Sequence, residues 1–182
     1  MAIATFPSFP SFKTHIKTLS KIPKFSTVIV KYGNKVEQRI SKDSSARYTF
    51  VLSFVDAIPD INLEEIMLFF INRKGSYEAF YFQNPEEAYR GIKWKVATAY
   101  VVGNIVRPIT ANGRSYKCTV AGTSGGSEPT WPVTVGGTIG DNSVTWKENT
   151  YLTRFESDLI NAEYFQYSLY DLKEISLIEV SA

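Results

Sequence analysis

Residues 46–55 read ARYTFVLSFV. Tyr48, Phe50, Leu52 and Phe54 alternate with smaller or more polar residues. That period of two gives a strand one apolar face. Upstream, FSTVIVKYG and VEQRISK read as further strands, and Gly33-Asn34 between them can take positive φ and close a tight turn. Downstream, DINLEEIMLFFINRKG is the segment with helical periodicity: Leu63, Ile66, Met67, Phe70 and Ile71 share one face. Asn62 suits the N-cap, with Glu65 three residues on at capping-box spacing. Arg73 and Lys74 suit the negative C-terminal end, and Gly75 suits a left-handed cap. Leu68 and Phe69 widen the apolar face beyond one side, so the helix is either deeply sandwiched or meets another subunit. SYEAFYFQNPEEAYR then gives a strand that ends at Asn84-Pro85.

From Gly91 to Trp146 the character changes. Large aliphatic and charged residues thin out, and Gly, Thr and Val dominate. Short strands (IKWKV, YVVGNIV, SYKCTV, SVTW) alternate with glycine-rich turns. The last segment returns to the first style, with strands near Tyr151–Glu156, Glu163–Leu169 and Lys173–Val180. The expected fold class is therefore α+β, mainly antiparallel β as a barrel or sandwich with one main helix, plus a small all-β insert. The expected divisions are 1–92 with 149–182 for the main domain and 93–148 for the insert. Within the first, 1–20 is an extended arm: Phe6-Pro7, Phe9-Pro10 and Phe12 form a short repeat that proline holds extended. Exposed phenylalanines are costly, so the arm should dock on its own domain or on a neighbouring subunit.

The chain has 182 residues, enough for one domain or one domain plus a small one. An apolar fraction of 44% supports a real core. Twelve Phe and eleven Tyr favour strands and adhesive surfaces over helical bundles. The net charge of +2 is too small to argue for nucleic acid, and no recognition-helix or RNA-binding signature accompanies it. Charge is unevenly placed, however. Residues 1–50 carry nine Lys/Arg against Glu37 and Asp43, a balance of +7. Residues 150–182 carry Arg154 and Lys173 against six acids, a balance of −4. Opposite ends on one chain suit head-to-tail contact between copies, although ordinary solvated surfaces would look the same. No apolar run reaches the roughly 20 residues of a membrane span. The start, MAIATFPSFPSFK, lacks a basic leader before an apolar core, so no secretory signal is expected.

Catalytic readings fail one by one. The run ANGRSYKCTVAGTSGGSEPTW, Ala111 to Trp131, has no GK[ST] ending and leads to Pro129, so it is not a phosphate loop. Cys118, the single cysteine, sits within an alternating strand where a small buried hydrophobe is the ordinary reading. The single histidine, His15, is far off in the sequence, which leaves Cys118 without a base and excludes a multi-histidine metal site. The pairs Glu64-Glu65, Glu86-Glu87 and Glu156/Asp158 suit helix starts and turns better than a two-acid cleft. No enzyme activity and no cofactor are expected. Aromatic residues of the insert are the better binding candidates. Trp94, Tyr116 and Trp146 are assigned to its core. Trp131, between two prolines in EPTWP, and Tyr100 are left as surfaces on which a sugar could stack.

The ordered pieces resemble the phage distal tail proteins: the minor tail protein M family of lambda-like tails and the related tail proteins of gene transfer agents. The resemblance rests on Gln38-Arg39 after the tight turn, Lys74-Gly75 closing the helix, the aromatic strand Phe80-Tyr81-Phe82, Arg154-Phe155, and Glu179-Val180 at the close. It covers roughly residues 25–90 and 150–182. The insert is similar to a small module of phage virion proteins with a chitin-binding-type fold, through Tyr100, Gly103 and Val106, then Gly113 and Tyr116, and a closing tryptophan. The resemblance implies a virion protein of the tail tip that forms a ring, usually hexameric. Such a ring joins the tail tube protein to the tip and hub proteins. The partners it implies are further copies of the chain and those tail proteins, with host-surface carbohydrate as a possible ligand of the insert. Neither nucleic-acid specificity nor a membrane span is implied. Phe6, Phe9, Phe12, Leu68 and Phe69 become the expected subunit-interface residues.

Overall fold

A computed structural model of the chain describes residues 3–7, 16–43, 46–54, 58–166 and 169–181. Phe9, Phe12 and His15 lie outside the described residues. The chain forms two compact units, Pro7–Phe80 with Leu152–Ala182 and Met1–Phe6 with Tyr81–Tyr151.

The first unit holds strands β1 (Ile16–Lys24), β2 (Thr27–Lys31), β3 (Glu37–Ser41), β4 (Arg47–Phe54) and β5 (Ile58–Pro59), then helix α1 (Asp60–Asn72). The chain leaves along β6 (Phe80–Phe82). The second unit carries β7 (Ala99–Tyr100), β8 (Ile105–Val106), β9 (Tyr116–Val120), β10 (Gly122–Thr123), β11 (Thr138–Asp141) and β12 (Val144–Glu148). Return is along β13 (Tyr151–Phe155), followed by β14 (Ala162–Gln166), β15 (Leu169–Leu172) and β16 (Glu174–Glu179). The strand pairs among the described residues are antiparallel and the sheets are open, so the α+β class holds in its sandwich form and not as a barrel.

The opening stretch supplies the centre of the first unit. β4 lies between β1 and β16, and its Phe50, Leu52 and Phe54 are buried. Opposite them on β16, Ile175 faces Leu52 and Leu177 faces Phe50, both buried as well. β1 takes the sheet edge, where Pro23 removes no needed ladder bond. The expected arm of 1–20 is thus shorter: from Ile16 onward it is strand. Residues 3–6 belong to the other unit. There Phe6 donates its N–H to the Tyr81 carbonyl (2.7 Å), Tyr81 returns one to Ala4 (2.8 Å), and the Phe6 ring is buried edge-on against Phe82.

Helix α1 buries Leu63 and Ile66 and half-buries Phe69 and Phe70. Phe69 meets Phe80 edge-on (5.0 Å), and Phe70 meets Phe155 the same way (5.0 Å). Phe80 and Phe155 lie 4.9 Å apart, closing an aromatic cluster between helix and sheet. The helix starts at Asp60, two residues before the expected cap, so Asn62 is inside it. Its end is a Schellman arrangement. Gly75 N–H reaches the Phe70 carbonyl (3.1 Å) and Lys74 N–H the Ile71 carbonyl (2.9 Å). The left-handed conformation predicted for Gly75 (φ +61°) extends to Lys74 (φ +53°).

Beyond that cap, Ser76 donates its N–H to Asp158 Oδ1 at 2.7 Å. A Cβ at Gly75 would stand 2.7 Å from the same oxygen, which is why this position needs glycine twice over. The Ser76 side chain and amide hold the Asp158 carboxyl below the ordinary aspartate value of 3.8. A depressed folded pKa gives stability that is present above 3.8 and lost as pH falls through the folded value. Asp158→Asn is therefore expected to leave Tm little changed at acidic pH and to lower it at neutral pH, flattening the acid limb of a Tm-against-pH curve.

The second unit takes in Tyr81–Tyr151 together with Met1–Phe6, a wider span than the expected insert of 93–148. The reason is Glu87, on a π-helical turn at Glu86–Arg90. Its carboxylate accepts from Asn149 Nδ2 (2.9 Å) and the Tyr151 hydroxyl (3.1 Å), tying both flanks of the insert to its base. Strands β11–β12–β9–β8 form the larger sheet and β10–β7 a small one. No helix among the described residues is long and apolar enough to cross a membrane.

Candidate assembly surface and the inserted aromatic module

Among the described residues the hairpin β2–β3 pairs only with itself: Thr27 faces Ser41, Val28 faces Ile40, Ile29 faces Arg39, Val30 faces Gln38 and Lys31 faces Glu37. Directly opposed residues share a face. One face therefore carries Val28, Val30, Ile40 and Gln38, extended by Tyr32 and Val36 at the turn. The other carries Thr27, Ile29, Lys31, Glu37, Arg39 and Ser41. On the polar face Glu37 pairs with Arg39 (3.0 Å) and Lys31 (3.7 Å). On the apolar face Val30, Tyr32, Val36 and Ile40 are 40–54% exposed. A two-stranded hairpin is marginal in water by itself. This one spends its alternation on a face that nothing among the described residues covers fully.

Its turn is not closed as predicted. Lys35 N–H donates to the Tyr32 carbonyl (3.1 Å), and the residue with positive φ is Lys35 (+66°), while Gly33 and Asn34 stay at negative φ. Asn34 instead accepts the Val36 N–H on its side chain (3.3 Å). A side chain at positive φ is strained, and glycine is not. Lys35→Gly is expected to stabilise the first unit by about 0.5–1 kcal/mol in urea unfolding followed by far-UV circular dichroism.

The same unit has an acidic counterpart. β14 is one edge of the sheet β14–β15–β5, with β5 at the other. Glu163 on β14 stands directly opposite Asp171 on β15, with Lys173 Nζ 3.5 Å from Glu163. Tyr164 on this edge and Leu159 before it are 66% and 74% exposed. The expected interface residues fall unevenly around these surfaces. Leu68 is 52% exposed on α1. Phe69 packs against Phe80 and Phe155, so it belongs mainly to the core of its own unit. Phe6, expected at a subunit contact, is buried within its own chain. The alternation of the hairpin is that of any half-buried strand, so its sequence does not mark this face as exposed.

In the inserted unit, aromatic residues turn inward. Trp94, Tyr100, Tyr116, Cys118, Val144 and Trp146 form the core with Val106, and Trp131 and Ile139 pack against it half-buried. Asp141 sits at the centre. Its Oδ2 accepts Trp94 Nε1 (2.7 Å) and Trp146 Nε1 (3.0 Å), and its Oδ1 accepts the Gly125 N–H (2.7 Å). The glycine-rich loop thus does face an anion, and the anion is the chain's own carboxylate. Tyr100, proposed for sugar stacking, is buried edge-on to Trp146 (4.9 Å), and its hydroxyl accepts the Lys95 N–H (3.0 Å). Burial raises its pKa above the ordinary tyrosine value. Its ring faces are not open to a ligand. Trp131 stacks on Tyr116 at 4.3 Å and donates Nε1 to Glu128 Oε1 (2.9 Å), so one face of its ring is covered. Burial likewise pushes the Cys118 thiol up, and Sγ–H donates to the Val120 carbonyl (3.2 Å), the state of a core hydrophobe.

Among the described residues no group of three or more His, Cys, Asp or Glu is placed to hold a metal ion. All three tryptophans lie in this unit, so their fluorescence follows its unfolding alone. Asp141→Ala would strand two indole N–H groups and one amide, and it is expected to cost about 3–5 kcal/mol in urea unfolding read by that fluorescence.

No protein-family model matches the chain, and no curated protein matches it. Among solved structures it is similar to a chain of the virion of a native gene transfer agent particle. The two share 16% identity over all of this chain and 99% of that one, with a TM-score of 0.48.

Proposed function

We propose that the chain is a structural virion protein that assembles with copies of itself into a ring at the distal end of a phage tail, joining the tail tube to the tip. The observation that carries this reading is the hairpin β2–β3, which holds ion pairs beside an exposed Ile29 on one face and leaves Val30, Tyr32, Val36 and Ile40 exposed on the other. Such a face is a contact surface. Charge indicates its partner. The hairpin lies in the basic part of the sequence, and the edge strand β14 lies in the acidic part. A patch of one sign on one side and its complement elsewhere makes a heterologous contact, which closes into a ring when the rotation allows. The ordered motifs from Gln38-Arg39 to Glu179-Val180 support the tail-tip role, and a catalytic function forms no part of it.

Light scattering after size-exclusion chromatography tests the reading. The wild-type chain is expected to elute as a closed oligomer, a hexamer by the family resemblance, which loosens in high salt. Val30→Glu, on the exposed face, is expected to weaken association by about 2–4 kcal/mol and leave a folded monomer. A wild-type chain that stays monomeric at high concentration in low salt would overturn the proposal.

A further inference from the structure

The turn of the hairpin β2–β3 holds a strained residue that packing within the chain does not explain. Lys35 stands at φ +66°, although Gly33 and Asn34 beside it are the residue types that take such a conformation at least cost. Strain of this kind persists at sites that meet a ligand or a partner. Lys35 is exposed, and among the described residues it makes no ion pair. Tyr32 and Val36 flank it, joined by the Tyr32 N–H donating to the Val36 carbonyl (2.9 Å), and are 50% and 54% exposed. The Tyr32 hydroxyl already donates to Gln38 Oε1 (3.0 Å), so what it offers a partner is its ring. The tip of the hairpin thus presents two apolar side chains around one unpaired ammonium group.

A complementary recess lies in the same unit. β13 ends at Phe155, Glu156 donates its N–H to the Ser176 carbonyl (2.9 Å), and the chain then leaves β16 for the end of α1, where Asp158 meets Ser76. The recess beside β16 is lined by Phe155, Leu159, Ile160 and Ile175. Ser176 and Ser157 join them, the latter accepting the Leu159 N–H (3.0 Å) on its hydroxyl. Two carboxylates complete the lining. Glu156 stands beside Ser176, and Glu174 lies two residues along β16 on the same face. Both are exposed, and among the described residues neither is in an ion pair. Nearby cations are engaged elsewhere: Arg154 places Nη1 on the Phe155 carbonyl (2.9 Å), and Lys173 pairs with Glu163 (3.5 Å). The volume of about 150 Å³ is below the roughly 300–1,000 Å³ of small-ligand sites, which suits an inserted side chain instead.

We infer that this recess seats the hairpin tip of a second copy of the chain, with Tyr32 and Val36 against Leu159 and Ile160, and Lys35 between Glu156 and Glu174. The assignment rests on the ring reading and names the seat that reading leaves open. Charge selects a copy of this chain as the occupant. Residues 24–42 carry Lys24, Lys31, Lys35, Arg39 and Lys42 against Glu37, a balance of +4. Residues 156–174 carry Glu156, Asp158, Glu163, Asp171 and Glu174 against Lys173, a balance of −4. Tip and recess are different patches of one chain, so the contact is heterologous, as a ring requires.

Disulfide trapping in the full chain tests the seat, with the association state of the wild type measured alongside by light scattering. A chain carrying both Val36→Cys and Leu159→Cys is expected to form a covalent ladder under mild oxidation, at least about tenfold more than either single variant. The native Cys118 is buried and adds no background. Lys35→Gly is expected to weaken association about tenfold while raising stability, a pairing of effects that a purely structural lysine does not give. Lys35→Glu is expected to dissociate the oligomer, and Glu156→Lys with Glu174→Lys on the same chain to restore it. With an oligomeric wild type, the seat is overturned, and the ring reading left standing, by any of three results: no ladder beyond that of the single variants, Lys35→Gly associating as tightly as the wild type, or no restoration by the charge exchange. A wild type that stays monomeric overturns both.

Discussion

The carboxylate of Asp141 accepts two indole N–H groups and one backbone N–H within 3.0 Å, and the inserted unit is organised around those three bonds. The unit has too few aliphatic side chains to build a core in the usual way. It uses tryptophan and tyrosine instead, and each buried indole brings a donor that must be satisfied. One carboxylate on the β11–β12 turn satisfies two of them and fixes the glycine-rich loop as well. Glu148 serves the same purpose at the other end of β12, where it accepts from Arg114, Gln83, Thr150 and Gly136. The buried charges are held by several N–H and O–H groups each, which is the condition for a carboxylate to sit in a core without a large penalty.

This arrangement decides what the glycines are for. A run such as Gly122 to Gly126 looks from the sequence like a place to bind something. In the fold, Gly125 presents its amide to Asp141, and a Cβ at Gly122 would overlap Ser143. Close packing against the β11–β12 turn accounts for Gly122 and Gly125, while Gly126 stands in open space. It also draws Trp131 inward over Tyr116, so the aromatic residues that could have formed a flat sugar platform are largely committed to holding the unit together.

Periodicity made the main elements legible. The alternation in ARYTFVLSFV places β4, and the face of Leu63 and Ile66 places the buried side of α1. What it could not show is what depends on sequence-distant partners. The start of α1 moved to Asp60, ahead of the good local cap at Asn62. Ser76 and Asp158 meet across 82 positions at the far end of that helix. The strands Gly122–Thr123 and Thr138–Asp141 carry too little apolar pattern to announce themselves, and they exist because β7 and β12 offer them a ladder. The candidate surface was hidden for the opposite reason. Val28, Val30 and Ile40 have a clear strand signature, and a pattern shows that a face is apolar without showing whether anything covers it.

The two units therefore use apolar residues in opposite ways. The insert has drawn its aromatic rings inside and leaves on its outer sheet face a pair of opposed lysines. The other unit has a sufficient core in Phe50, Leu52, Phe80, Phe155 and Leu177, and still presents an apolar hairpin face and an acidic sheet edge. A surface made of hydrophobic alternation gains free energy from any complementary apolar face, and the surrounding charge selects which one. The proposed self-association therefore rests on residues of the first unit, and the core of the second is built without them.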